Sequence, residues 1–243
     1  MKLEFRIVAF FAFVMFACFP AFSSDLARNL IDDKTKNHFL QVFLPTPEDV
    51  ISKWEKPIRI KVLGGPIFQN TFRKNKNFFE KMISRKIVIT DENVNFLIIF
   101  TDNIYREAFQ SGSVYFRSFL KTKEEIFDFF HRTASAEELS SEKPSNVTFR
   151  KYHKDMSMDI VVSLQSLDTK FYNDINQYVI SAVLDALVEK SPKSESKFEY
   201  PTVFDKDAKD LSVHKIDEDI ISLLYRDEIE SGMNRKKIKS LFR

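Results

Sequence analysis

Two carboxylates one helical turn apart, Asp185 and Glu189, are the first residues whose spacing invites chemistry. On a helix over residues 173–190 they share a face and could hold a hard cation. They do not complete a shell, and the local sequence from Val179 to Glu189 has no histidine. A zinc hydrolase helix needs two histidines one turn apart with a glutamate between them. The four histidines, His38, His131, His153 and His214, are dispersed, with no pair at ligand spacing. His153 lies beside Asp155 in a hairpin, where an acid–base role competes with plain solvation. Asp205, Asp207, Asp217, Glu218 and Asp219 gather toward the C-terminus. Paired carboxylates divide acid and base roles when burial separates their pKa values. Asp217 to Asp219 also precede an apolar helical stripe, where acidic residues suit the first turn. No serine sits in the glycine-flanked elbow of a hydrolase nucleophile. The candidate catalytic residues are therefore Asp185, Glu189, Asp205, Asp217 and His153, and the sequence predicts no cofactor and no metal.

A second constellation is aromatic. Tyr105, Phe109, Tyr115 and Phe116, with Arg106 and Arg117 among them, fit either an interaction groove or a buried sheet edge. Residues 234–243 form a short basic amphipathic tail, with Arg235, Lys236, Lys237, Lys239 and Arg243 around Ile238, Leu241 and Phe242. Such a tail can dock on its own domain or touch an anionic membrane surface or acidic partner.

The address is written in residues 1–23. Lys2 and Arg6 precede an apolar run from Ile7 to Phe22, and Ala21 and Ser23 supply small residues for a cut after Ser23. The run is short for a membrane span, which needs roughly 17–25 apolar residues. Lipidation at Cys18 is disfavoured by the bulky Phe16 two residues before it. Cleavage predicts an exported protein, periplasmic or extracellular, without cysteine and so without a disulfide, Cys18 being the single cysteine. The formal net charge of +2 falls to +1 when Lys2, Glu4 and Arg6 leave. Near neutrality offers nucleic acid no general attraction.

The remaining pattern predicts one α+β domain with a mixed or antiparallel central sheet, a long buried helix and a helical C-terminal region. A helix is expected over residues 25–39 and another over 48–54, making residues 24–53 an N-terminal helical segment before an α+β domain at 54–233. Ile58, Ile60 and Val62 alternate with Arg59 and Lys61 as in a half-buried strand. Gly64-Gly65-Pro66 ends it in a turn. A helix follows over residues 76–84, a short strand over 86–90, and the apolar run 94–100 reads as a central strand covered on both faces. Capping boxes at Thr122 and Ser135 open two helices. Residues 147–152 and 157–164 form a hairpin, with Met158, Ile160, Val162 and Leu164 facing one way. The longest helix is 173–190; others follow over 213–225 and in the tail.

Three blocks, WEKPIRIKVLGG at 54–65, NFLIIF at 95–100 and VFDKDAKDLSVHKIDEDIISLLYRDEIESGM at 203–233, resemble a bacterial secreted family of unknown function, domain family 2927. Phe204-Asp205, Leu211-Ser212, Asp217, Leu224-Tyr225 and Gly232-Met233 carry the likeness most specifically. The resemblance implies a scaffold similar to zinc proteases. It also implies a glutamate pair and a Leu-Gly in the long helix, where this chain has Leu184-Asp185-Ala186-Leu187-Val188. The expected function is that of a non-catalytic envelope binding or structural protein, with an envelope protein or cell-wall component as partner. The alternative is a hydrolase of envelope peptide or glycan, using carboxylates or a noncontiguous metal site.

Overall fold

A computed structural model describes residues 31–104, 146–167, 174–194, 198, 202–204 and 212–242. The elements are α1 (Asp33–Phe43), β1 (Ile58–Leu63), α2 (Pro66–Ile83), β2 (Ile87–Ile89), β3 (Phe96–Thr101), β4 (Asn146–Tyr152), β5 (Met158–Ser166), α3 (Ile175–Leu187), α4 (Lys215–Leu224) and α5 (Arg235–Leu241). The strands form one five-stranded mixed sheet in the order β2-β1-β3-β5-β4. β1 is parallel to β2 and β3, β3 is parallel to β5, and β4 returns antiparallel along β5.

Alternation in β1 works as the sequence predicts. Ile58, Ile60 and Val62 are buried, while Arg59 is exposed and Lys61 half-buried. β3 is the middle strand, and all six of its residues are buried, the signature of a strand covered on both faces. Ile60, Ile98, Phe100 and Val161 share one apolar cluster with α1, α2, α3 and α4; Leu97, Ile99, Val162 and Leu164 form another. The helices of the larger cluster are thus gathered on one side of the sheet, which makes the domain α+β.

Between β2 and β3 the chain must pass β1 in only six residues, 90–95. Asn95 makes that possible by imitating a ladder residue. Its backbone N–H donates to the Arg59 carbonyl at 2.9 Å, its Oδ1 accepts from the Arg59 N–H at 2.7 Å, and its Nδ2 donates to the Pro57 carbonyl at 3.2 Å.

Several local expectations change. α2 starts at Pro66, ten residues before the expected 76, and its eighteen residues exceed the thirteen of α3, expected to be the longest helix. Gly65 is its N-cap and Pro66, which has no N–H to leave unpaired, opens the first turn. Phe68, Phe72 and Phe79 line its buried face despite the polar residues between them. In β5, Met158 joins Val161 in the larger cluster, whereas Ile160 packs with the other. The cause is a register shift: Lys151 faces Ile160 but Tyr152 faces Met158, so Asp159 is an extra residue that turns the strand over. The helix expected over 48–54 is absent. Val50 bridges Asn234, the Ile51 N–H donates to the Met233 carbonyl at 2.8 Å, and the Gly232 N–H donates to the Ile51 carbonyl at 2.8 Å. Pairing with residues 232–234 takes the backbone groups a helix would use internally. Residues 122–145, with both expected capping boxes, lie outside the described residues.

Gly64 joins β1 to α2 at φ +123°, and a Cβ there would stand 3.0 Å from Phe100 Cβ and 3.1 Å from the Phe100 carbonyl oxygen. Gly64→Ala is expected to lose about 2 kcal/mol through strain and the clash with β3. Urea melts check it, and an unchanged midpoint would show that the turn relaxes freely.

Candidate functional site

A cleft of about 220 Å³ opens where three segments meet: the chain leaving α1, the β4–β5 turn and the residues following α3. Phe43, Val50, Met156 and Pro192 give it apolar walls, while Glu48, Asp49 and Glu189 give it negative charge. Its floor is built by local bonds. The sequence Thr46-Pro47-Glu48-Asp49 begins as a capping box, and the Thr46 N–H and Oγ1 donate to Asp49 Oδ2 at 2.7 and 2.8 Å. The helix so announced never continues, because Val50 and Ile51 are taken into pairing with residues 232–234. Asp49 Oδ1 accepts from Ser191 Oγ at 3.1 Å, tying the first segment to the third. Ser52 Oγ donates to the Met156 carbonyl at 2.8 Å, and the Tyr152 hydroxyl donates to Glu189 Oε1. Those two bonds tie in the β4–β5 turn.

Charge in the cleft is net acidic. Lys190 lines it, yet its ammonium donates to the Phe204 carbonyl at 2.7 Å. Burial pushes the Asp49 carboxyl up, but the hydrogen bonds from Thr46 and Ser191 outweigh it and leave the group below its usual range. Glu48 is also held low, by its own backbone N–H and by Thr46. Both are therefore ionised at neutral pH. A general acid needs the opposite, a carboxyl pushed up toward the working pH. Fixed anions beside apolar walls suit a different task, which is to hold a cationic group on an aliphatic stem.

The residues singled out from the sequence are scattered. α3 ends at Leu187 and Val188 caps it in extended conformation, so Glu189 lies off the helix and does not share a helical face with Asp185. Asp185 Oδ2 accepts from Asn146 Nδ2 at 3.4 Å, and its carbonyl accepts from Arg150 Nη2 at 2.6 Å. His153 meets Asp159 instead of Asp155: its Nε2 is 2.9 Å from Asp159 Oδ1 and 3.2 Å from Lys56 Nζ. Asp155 accepts from the Ser157 N–H and Oγ, which closes the hairpin turn and lowers its pKa. Asp217 is fully buried at the start of α4, with His214 as N-cap. His131, Asp205, Tyr105, Arg106, Phe109, Tyr115, Phe116 and Arg117 lie outside the described residues. Among the described residues no group of three or more histidines, cysteines, aspartates or glutamates is placed to hold a metal.

Sequence reading missed Glu48, Asp49 and Tyr152. Only the Thr-Pro-Glu-Asp signature hinted at Asp49, and it pointed to a cap instead of a cleft. Lys53 was missed too. It is 1% exposed, with Nζ donating to the Arg226 carbonyl at 3.2 Å and lying 5.8 Å from the centre of the Tyr225 ring. Burial pushes its pKa down, and it faces the core instead of the cleft.

His38 gives a pH test. It is buried edge-on to Phe198 at 5.3 Å, and burial lowers its pKa. The unfolded chain protonates near pH 6.5 while the folded chain resists. Stability contributed by His38 is therefore full above 6.5 and lost as pH falls through the lower folded value. Wild type should lose stability against His38→Phe between neutral and mildly acidic pH; denaturant melts that keep a constant difference would refute this.

Comparison with family models, curated proteins and solved structures returned no match.

Proposed function

We propose that the chain is an exported envelope protein that acts by binding, and that the cleft among Glu48, Asp49, Tyr152 and Glu189 receives a cationic group of its partner. The carrying observation is that the two carboxyls held low, Asp49 and Glu48, face one concave site with apolar walls. The signal pattern of residues 1–23 and the likeness of three blocks to a secreted family belong to the same proposal. The hydrolase alternative needs an accessible carboxyl pushed up in pKa. Burial does raise Asp217, but its relative exposure is 0% and it is enclosed by structural donors.

The test places a photo-crosslinking residue at Val50, which lines the cleft and is 37% exposed, in the protein expressed in its own cells. A discrete envelope adduct is expected, and Glu48→Gln with Glu189→Gln should weaken it about tenfold, the loss of one to two kcal/mol of charge-assisted contact. An adduct indifferent to the double change would reject the cleft. N-terminal sequencing of the protein from the envelope fraction should begin at Ser24; uncleaved protein in the cytoplasm would reject export.

A further inference from the structure

α5 carries a second surface with a different character. Its inner side is committed: Ile238 is fully buried, the Phe242 ring meets Phe39 edge-on at 5.7 Å, and Arg235 Nη1 donates to the Leu44 and Pro45 carbonyls. The outer side is not. Lys236, Lys237 and Lys239 are exposed, and among the described residues no carboxylate lies within ion-pair distance of any of them. A hollow of about 430 Å³ is lined, among the described residues, by Pro47, Arg235, Lys236, Lys239 and Ser240, three of them cationic and none acidic. Leu241, 41% exposed, stands at the end of the same helix.

We infer that this face of α5 is an electrostatic docking surface for the phosphodiester headgroups of an anionic bilayer. Three ammonium groups on flexible stems, none paired with a carboxylate among the described residues, match a fluid array of anionic headgroups. The pull comes from side-chain charge near the surface, since Ile238 and Phe242 are used inside the protein and cannot insert. A folded acidic partner fits less well, because a protein interface is built round an apolar core, and Leu241 is the one exposed large hydrophobic residue of α5. Leu241 instead gives a shallow contact of the kind a headgroup layer accepts. The inference stands apart from the cleft, which is acidic and formed by other residues.

Flotation of the full chain with phosphatidylglycerol-rich and pure phosphatidylcholine vesicles tests it. Lys2→Gln and Arg6→Gln are made in every sample, because residues 1–23, if retained, bind both vesicle types through apolar contact and would add a charge-driven excess of their own; the readout is the remaining excess on the anionic vesicles. Lys236→Gln, Lys237→Gln and Lys239→Gln together should remove that excess, at about fivefold per lysine and of order a hundredfold for all three. High salt should remove it as well. Exposed lysines can be changed without disturbing the core, which an unchanged melting curve verifies; deleting the tail would instead strip out Ile238. Equal binding to both vesicle types, an excess that survives the triple change, or an acidic polypeptide bound more tightly than the vesicles would each overturn the inference. Glu48→Gln with Glu189→Gln should leave the excess unchanged, so failure here and failure of the cleft are separable.

Discussion

Trp54→Ala should destabilise the protein by about 3–5 kcal/mol, the range for deleting a large buried aromatic side chain. Trp54 is fully buried and tilts against Phe96 of β3 with 6.2 Å between ring centres. Its main chain is held on two sides: the N–H donates to Tyr225 Oη at 3.4 Å and the carbonyl accepts from Arg85 Nε at 3.2 Å. Truncation leaves those bonds and removes the ring, so the void has rigid walls and little means to collapse. Stabilities of small domains run to about 5–15 kcal/mol in total, so this one change can consume much of the margin. The indole Nε1 has no hydrogen-bond partner among the described residues. Trp54→Phe deletes that donor together with part of the ring, and an unpaired buried donor is worth about 1–3 kcal/mol. The phenylalanine variant should therefore lose much less than the alanine variant, within about 2 kcal/mol of wild type. Denaturant midpoints decide it: a phenylalanine variant that loses more than about 2 kcal/mol would mean that the indole N–H is satisfied in the folded protein.

The same position shows how far local pattern carries. β1 follows directly from Ile58, Ile60 and Val62, and β3 from its unbroken apolar run, because each strand's burial is written in its own residues. α2 was harder to read, since Phe68 and Phe72 stand among Gln69, Asn70, Thr71 and Arg73, and only burial beneath the sheet shows which pair is inward. Residues 48–54 carry a helix-start signature that is overridden by pairing with residues 232–234, some 180 positions away. Single-sequence periodicity contains no term for that competition. The hairpin of β4 and β5 was legible, while the bulge at Asp159 that exchanges the faces of Met158 and Ile160 was not. The cleft is the extreme case: its residues come from 43–52, 152–156 and 189–192, and of these only Glu189 stands out as chemical in the sequence, there as a partner of Asp185 and not of Glu48 and Asp49.

Asp217→Ala should cost about 3 kcal/mol, because it strands several buried donors at once. Asp217 Oδ1 accepts from Thr202 Oγ1, the Val203 N–H reaches its two oxygens at 3.3 and 3.2 Å, and the His214 N–H donates to Oδ2 at 2.9 Å. One carboxyl thus caps α4 and fastens residues 202–204 to it. Asp217→Asn keeps one acceptor oxygen but turns an amide N–H₂ toward the remaining donors, so it should recover only part of the loss. The pH dependence separates this carboxyl from the others. Burial raises its folded pKa above 3.8 in spite of its hydrogen bonds. In the window between 3.8 and that higher value the folded state holds more protons than the unfolded state, so stability falls as pH rises. The contribution of Asp217 is full below 3.8 and reduced above its folded pKa. The difference between wild type and Asp217→Asn should accordingly widen as pH falls toward 3.8, even while the low-pKa carboxyls Asp32, Asp49 and Asp155 weaken both proteins alike. Paired urea melts across that range measure the difference directly, and a gap that narrows on acidification would mean the folded protein stabilises the ionised carboxylate.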